Sequence, residues 1–176
     1  LFETEVPEIY DGTVTINAIS REAGARTKMA VSSKDENVDA IGACIGPRGS
    51  RVNKIVELLG GEKIDIVNYS EDPKQFVAAA LAPANVLSVE IPDSEVKSCV
   101  VTVPDNQLSL AIGNKGQNAK LAAKLTGYKI DIKPEFDVLH QNDAPAEEKA
   151  DTPVDQPTDA PAETEAAAPE ANSVEE

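Results

Sequence analysis

The sequence predicts an α+β protein made of two consecutive copies of one unit, each a three-stranded sheet covered by helices on one face, followed by a disordered acidic tail. Three observations carry this prediction. Ile45-Gly46-Pro47-Arg48-Gly49 returns as Ile112-Gly113-Asn114-Lys115-Gly116, offset by 67 residues, and Lys63-Ile64-Asp65-Ile66 returns as Lys129-Ile130-Asp131-Ile132, offset by 66. Around each glycine motif the apolar residues pass from alternation to helical spacing in the same order. From Asp137 to the end there are 12 acidic residues, one lysine and five prolines, with little that is large and apolar. Such a segment cannot bury enough surface to offset its ordering entropy. The expected divisions are therefore 1–70, 71–136 and a disordered tail at 137–176.

In chain order, Val6 to Tyr10 contains Pro7, suited to a first helical turn, and a short helix ends at Asp11-Gly12. Thr13 to Ile19 alternates polar with apolar, as a half-buried strand does. Arg21 to Ala25 reads as the connection and Lys28 to Ser33 as the returning strand. Val38, Ile41 and Ile45 then fall at helical spacing before the first glycine loop. After it, Val52, Ile55, Val56 and Leu59 form an amphipathic stripe that Gly60-Gly61 stops, and Lys63 to Tyr69 is the third strand.

The second unit repeats the plan after a very short join. Asp72-Pro73 supplies an N-cap and first-turn proline for a helix through Phe76, Val77 and Leu81. Val86 to Ile91 is a strand, Pro92-Asp93-Ser94 begins a turn, and Ser98 to Val103 is the partner strand. Leu108, Ala111 and Ile112 precede the second loop; Ala119, Ala122 and Leu125 make a less bulky apolar face ending near Gly127. Units of about 65 residues are small, so each core should lean on the other.

A net charge of −15 argues against a polyanionic partner until it is divided by segment. The tail holds 12 acids against one base, which leaves 19 acids against 15 bases before it, a net of −4. Within that part, Arg48, Arg51 and Lys54 follow the first motif without an acid, and Lys115, Lys120, Lys124, Lys129 and Lys133 follow the second with Asp131 alone. The positive charge lies where a phosphate-binding field would have to be.

A single Gly-x-x-Gly is a weak signal, and its bland reading is a helix-helix turn whose glycines relieve crowding. Two copies at the same place in a repeat, each with a cation third and a helix next, favour phosphate binding. Glycines let the backbone approach a phosphodiester, and the first-turn amides of the next helix face the anion. The candidate contact set is Gly46, Pro47, Arg48, Gly49, Ser50, Arg51 and Lys54 in the first loop, with Gly113, Asn114, Lys115, Gly116, Gln117, Asn118 and Lys120 in the second. Pro47 has no N–H, so the first loop offers one donor fewer. Ile45 and Ile112 are candidates for an aliphatic groove wall, although core packing is the expectation for either alone.

These loops and their flanking order resemble the KH domain, whose Gly-x-x-Gly loop clamps about four backbone nucleotides of single-stranded nucleic acid. The helix-strand-strand-helix-helix-strand order is similar to the type II, prokaryotic form. Val6-Pro7-Glu8-Ile9-Tyr10-Asp11-Gly12, Arg21 to Lys28, Gly60 to Val67 and Asp72-Pro73-Lys74-Gln75-Phe76 further resemble the tandem KH region of the NusA family of bacterial transcription factors. The resemblance covers roughly residues 1 to 134. It implies single-stranded RNA (a nascent transcript) as ligand, roles in elongation, pausing, termination and antitermination, and RNA polymerase as partner of the full-length protein. It also implies an N-terminal polymerase-binding domain and an S1 domain ahead of the KH pair; the chain, opening at Leu1, is expected to be a fragment lacking both. The alternatives are a ribosome-associated KH protein that binds structured RNA and a scaffold that keeps the fold without binding RNA.

Other classes find little support. The aromatics Phe2, Tyr10, Tyr69, Phe76, Tyr128 and Phe136 are scattered, which disfavours recognition by base stacking. The single histidine, His140, lies in the tail, and neither a nucleophile–base pair, a metal-ligand cluster nor a nucleotide-binding glycine loop occurs, so no enzyme, cofactor or metal is expected. Cys44 and Cys99 lack metal or disulfide spacing and are expected to be buried apolar residues. No run is long enough to span a membrane, and the expectation is a cytoplasmic monomer.

Overall fold

The computed structural model describes residues 1–93 and 96–137. The turn expected at Ser94, the tail's expected disorder and His140 lie outside the described residues. Two short helices, α1 (Phe2–Glu5) and α2 (Pro7–Tyr10), lead into β1 (Val14–Glu22), β2 (Arg26–Ser33), α3 (Ala40–Ile45), α4 (Ser50–Leu58) and β3 (Lys63–Asn68). The second unit follows as α5 (Pro73–Ala80), β4 (Ser88–Asp93), β5 (Ser98–Val103), α6 (Leu108–Ile112), α7 (Gln117–Thr126) and β6 (Lys129–Pro134). The two sheets have orders β1-β2-β3 and β4-β5-β6. In each, the first pair is antiparallel and the second parallel. A parallel pair requires a crossover, and here the crossover is the helix–loop–helix that carries the glycine motif. The α+β reading holds, and each unit shows the expected helix-strand-strand-helix-helix-strand order.

Local chemistry accounts for most boundaries. Asp39 and Asp72 cap α3 and α5, their carboxylates accepting from the amides of Ile41 (3.1 Å) and Lys74 (3.0 Å). Gly127, at φ 75°, ends α7 in the left-handed conformation that favours glycine. Three expectations need correction. Phe2–Glu5 is helical as well. The β1–β2 turn shrinks to Ala23–Ala25, because Arg21 and Glu22 stay in the ladder opposite Thr27 and Arg26. Strand β4 runs to Asp93 and includes Pro92, which was read as a turn; β4 is an edge strand with a register shift between Glu90 and Asp93, where a residue without an N–H is tolerated.

The first sheet is buried on both faces. Val14, Ile16, Met29 and Val31 pack with Ala40 and Cys44 beneath their own helices. Ala18, Ala30 and Val67 pack instead against Phe76, Val77, Ala80 and Leu81 of the α5 region and Ala122 and Leu125 of α7. The register shift around Asn17 in β1 is what sends Ile16 and Ala18 to opposite sides. Hence β2 reads as five successive buried residues, the pattern of a strand covered on both faces. The two cores do lean on each other, and the edge-on contact of Tyr69 with Phe76, at 5.1 Å between ring centres, bridges the short join.

Polar ties reinforce this arrangement. Glu62, buried, accepts hydrogen bonds from Nε and Nη2 of Arg21 at 2.8 Å each, from the Gly24 amide at 2.9 Å and from the Thr27 hydroxyl. The Arg21 hydrogen bonds, then those of Thr27 and Gly24, hold its carboxyl at a pKa of about 2. Lys28 is fully buried, bonds Asp65 at 3.3 Å and donates to the Ala82 carbonyl in the second unit at 2.7 Å. Burial pushes its pKa down against the pull of Asp65. The Arg21–Lys28 stretch, read from the sequence as a connection and the start of a strand, is therefore also a knot that closes the hairpin onto β3 and fastens the second unit to the first.

Candidate nucleic-acid interface

The two glycine loops have almost the same backbone. Gly46 and Gly113 adopt φ/ψ of 71°/172° and 77°/172°; Gly49 and Gly116 adopt 78°/13° and 72°/14°. Between them the cations are themselves left-handed, Arg48 at φ 54° and Lys115 at φ 52°. A side-chain-bearing residue in that region is strained. The strain repeats at equivalent positions of both units and presents a cation at the loop crest each time. Among the described residues neither Arg48 nor Lys115 has an ion pair or side-chain hydrogen bond.

The glycines of each pair have different tasks. A Cβ on Gly113 would stand 2.8 Å from both the backbone nitrogen and Cβ of Asn118, and one on Gly46 would stand 2.6 Å from Cγ of Arg51. The first glycine thus makes room for a side chain beneath the loop. A Cβ on Gly116 meets nothing within 4 Å, and Gly49 is limited only by Asn53. The second glycine therefore keeps an open face, and its positive φ sets the turn into the next helix.

The remaining residues of the expected contact set divide sharply. Ser50 and Gln117 open α4 and α7, and the Gln117 amide nitrogen donates to Glu22 of the first unit at 3.0 Å. Glu22, Asn114, Lys115, Gln117 and Lys120 together line a polar cleft of about 300 Å³ at the junction of the units. Lys120, like Lys115, is unpaired among the described residues. Lys54 is held by Glu5 at 2.8 Å, while Arg51 bonds Glu8 at 2.9 Å and the Ala43 carbonyl at 2.6 Å. Asn118 is buried, its amide donating to the carbonyls of Leu81 (3.1 Å) and Ala111 (3.0 Å). Its side chain faces the interior, which leaves its backbone as the part that could meet a ligand. The sequence could not reveal the longer commitments, because Glu8 lies 43 residues from Arg51 and Leu81 lies 37 from Asn118.

Ile45 and Ile112, expected in the core, are 37% and 38% exposed beside the loops. They are the last residues of α3 and α6. Cys44 and Cys99 are buried as expected, and burial raises both thiol pKa values, that of Cys44 to about 11. No group of residues that could hold a metal ion occurs among the described residues, and no helix there is long and apolar enough to cross a membrane.

Comparison with known proteins points the same way. Residues 1–69 match the NusA-like first KH domain and residues 73–139 the NusA-like second KH domain. The chain is 58% identical over 155 residues to the transcription termination/antitermination protein NusA of Bacillus subtilis, covering 88% of this chain and 42% of that protein. It is 54% identical over 130 residues to the protein of the same description from Thermus thermophilus, covering 74% and 33%. Among solved structures, that of APE1850 superposes with a TM-score of 0.54 at 28% identity, covering 74% of this chain and 96% of that one. The chain thus spans less than half the length of these NusA relatives.

Proposed function

The chain belongs to the NusA family of KH-domain proteins, and from that premise we propose that it binds single-stranded RNA through its two glycine loops acting as one continuous platform. The observation that carries the reading is the repeated loop geometry, which offers Arg48 and Lys115, unpaired among the described residues, each before the first turn of a helix. At about four nucleotides per KH unit, the path spans roughly eight or more. The binding units are residues 1–70 and 71–136.

The loops work by charge and geometry, without chemistry on the ligand. A phosphate settles against Gly49 or Gly116, where the backbone is bare, and Arg48 or Lys115 neutralises it. Ile45 and Ile112 give the bases an apolar wall. Lys120 follows the strand along α7, and the cleft it lines with Glu22, Asn114, Lys115 and Gln117 takes the strand beside the second loop. Exposed cations release counterions on binding, so affinity falls with salt. The relatives are named as transcription termination/antitermination proteins, and on this reading the platform of this chain serves, within a longer protein, the control of transcript elongation, pausing, termination and antitermination beside RNA polymerase in the cytoplasm.

The test replaces Pro47-Arg48 and Asn114-Lys115 with aspartate pairs and measures binding to a single-stranded RNA together with circular dichroism. Loss of binding in a folded variant is the expected result. A folded variant that binds as before removes the clamp assignment and favours a scaffold.

A further inference from the structure

Arg51 and Asn118 occupy equivalent positions, each two residues beyond the second glycine of its loop. Both do the same three things. Each lies beneath the first glycine, closely enough that a Cβ there would collide with it. Each donates to a carbonyl of the helix before the loop, Arg51 to Ala43 at 2.6 Å and Asn118 to Ala111 at 3.0 Å. Each also reaches an element outside the helix–loop–helix, Arg51 to Glu8 of α2 at 2.9 Å and Asn118 to the Leu81 carbonyl after α5 at 3.1 Å.

We infer that Arg51 and Asn118 are positioning residues that brace the two glycine loops from beneath and do not themselves touch the nucleic acid. The functional consequence rests on the RNA reading above; the bracing does not. A loop whose crest residue is held in the left-handed region needs surroundings that over-determine it, and these two side chains supply the same support by different chemistry. The anchors differ in kind. Arg51 ties its loop to a helical turn at the start of the unit. Asn118 ties its loop to Leu81, next to the Ala82 carbonyl that Lys28 holds, so the second loop is braced against the first unit.

The test is Asn118→Leu and Arg51→Met in the full chain, read by amide NMR without RNA and by titration with a twelve-nucleotide single-stranded RNA at several salt concentrations. N118L should move the Gly113, Lys115 and Gly116 amide resonances in the free protein and weaken binding about tenfold with the salt slope unchanged, since no phosphate-contacting charge is lost. R51M should do the same at Gly46, Arg48 and Gly49. Unmoved loop resonances overturn the inference. So does an R51M salt slope lower by about one, which marks Arg51 as a phosphate contact. If N118L fails to fold, Asn118→Ser, which keeps a shorter donor, should show smaller shifts at the same amides, and their absence is again fatal. Shifted loops in a protein that binds no RNA, wild type included, would leave the brace standing and remove the RNA reading.

Discussion

The first and second KH units share a loop backbone to within a few degrees, yet they differ in what surrounds it. In the first, Arg51 and Lys54 are spent on Glu8 and Glu5, which leaves Arg48 as the unpaired cation of its contact set, and Pro47 withholds an amide. In the second, Lys115 and Lys120 are both unpaired among the described residues and Asn114 supplies the N–H that Pro47 lacks. The sheets differ in the opposite sense: the first is covered on both faces, by its own helices and by the second unit. On the RNA reading proposed above, this difference makes the first unit the structural platform and the second the stronger grip. A repeat can keep its geometry while its charge is redistributed by neighbours.

The most damaging way to break this division is at the junction. Leu81 is fully buried in the shared core, and Leu81→Ala should cost about 2–5 kcal/mol, measured by denaturant unfolding. Next comes the grip. Asn114-Lys115→Asp-Asp should weaken RNA binding on the order of 100-fold and Pro47-Arg48→Asp-Asp on the order of tenfold: both change the charge equally, but at the second loop the new carboxylates also neutralise Lys120, which lines the same cleft. Equal losses in the two variants would erase the proposed asymmetry.

A smaller effect separates the glycines. Gly113→Ala and Gly116→Ala each place a side chain at positive φ, a strain of roughly 1–2 kcal/mol. Gly113→Ala adds a collision with the Asn118 backbone and should be the less stable variant by thermal melting. The least is pH. Glu62 belongs to the first unit alone, and its carboxyl is depressed from 4.5 to about 2 by Arg21, Thr27 and Gly24. A depressed acid contributes stability above its unfolded pKa and loses it as pH falls, so stability should decline between about pH 4.5 and pH 2. Glu62→Gln should flatten that decline; an unchanged acid limb would show that other carboxylates govern it.

Much of this was legible in the chain. The Gly-x-x-Gly and Lys-Ile-Asp-Ile repeats fixed two units and their internal order, since period and punctuation are local properties of the sequence. The caps at Asp72 and Gly127 were readable for the same reason, as was the clustering of cations at the loops. Boundaries that failed did so where pairing overrode local preference: Pro92 remains in a strand because that strand is an edge, and Arg21-Glu22 remain in the ladder because Thr27 and Arg26 lie opposite.

What the sequence determined by itself is the duplicated unit, the loops and their local charge. Only the tertiary structure decided which cations stay uncommitted, that Asn118 turns inward, that Ile45 and Ile112 turn out, and that α7 covers the far face of the first sheet. The physical reason is distance along the chain. A hydrogen bond from Arg51 to Glu8, from Lys28 to Ala82 or from Asn118 to Leu81 joins residues 37 to 54 positions apart, and no local pattern encodes such a partner.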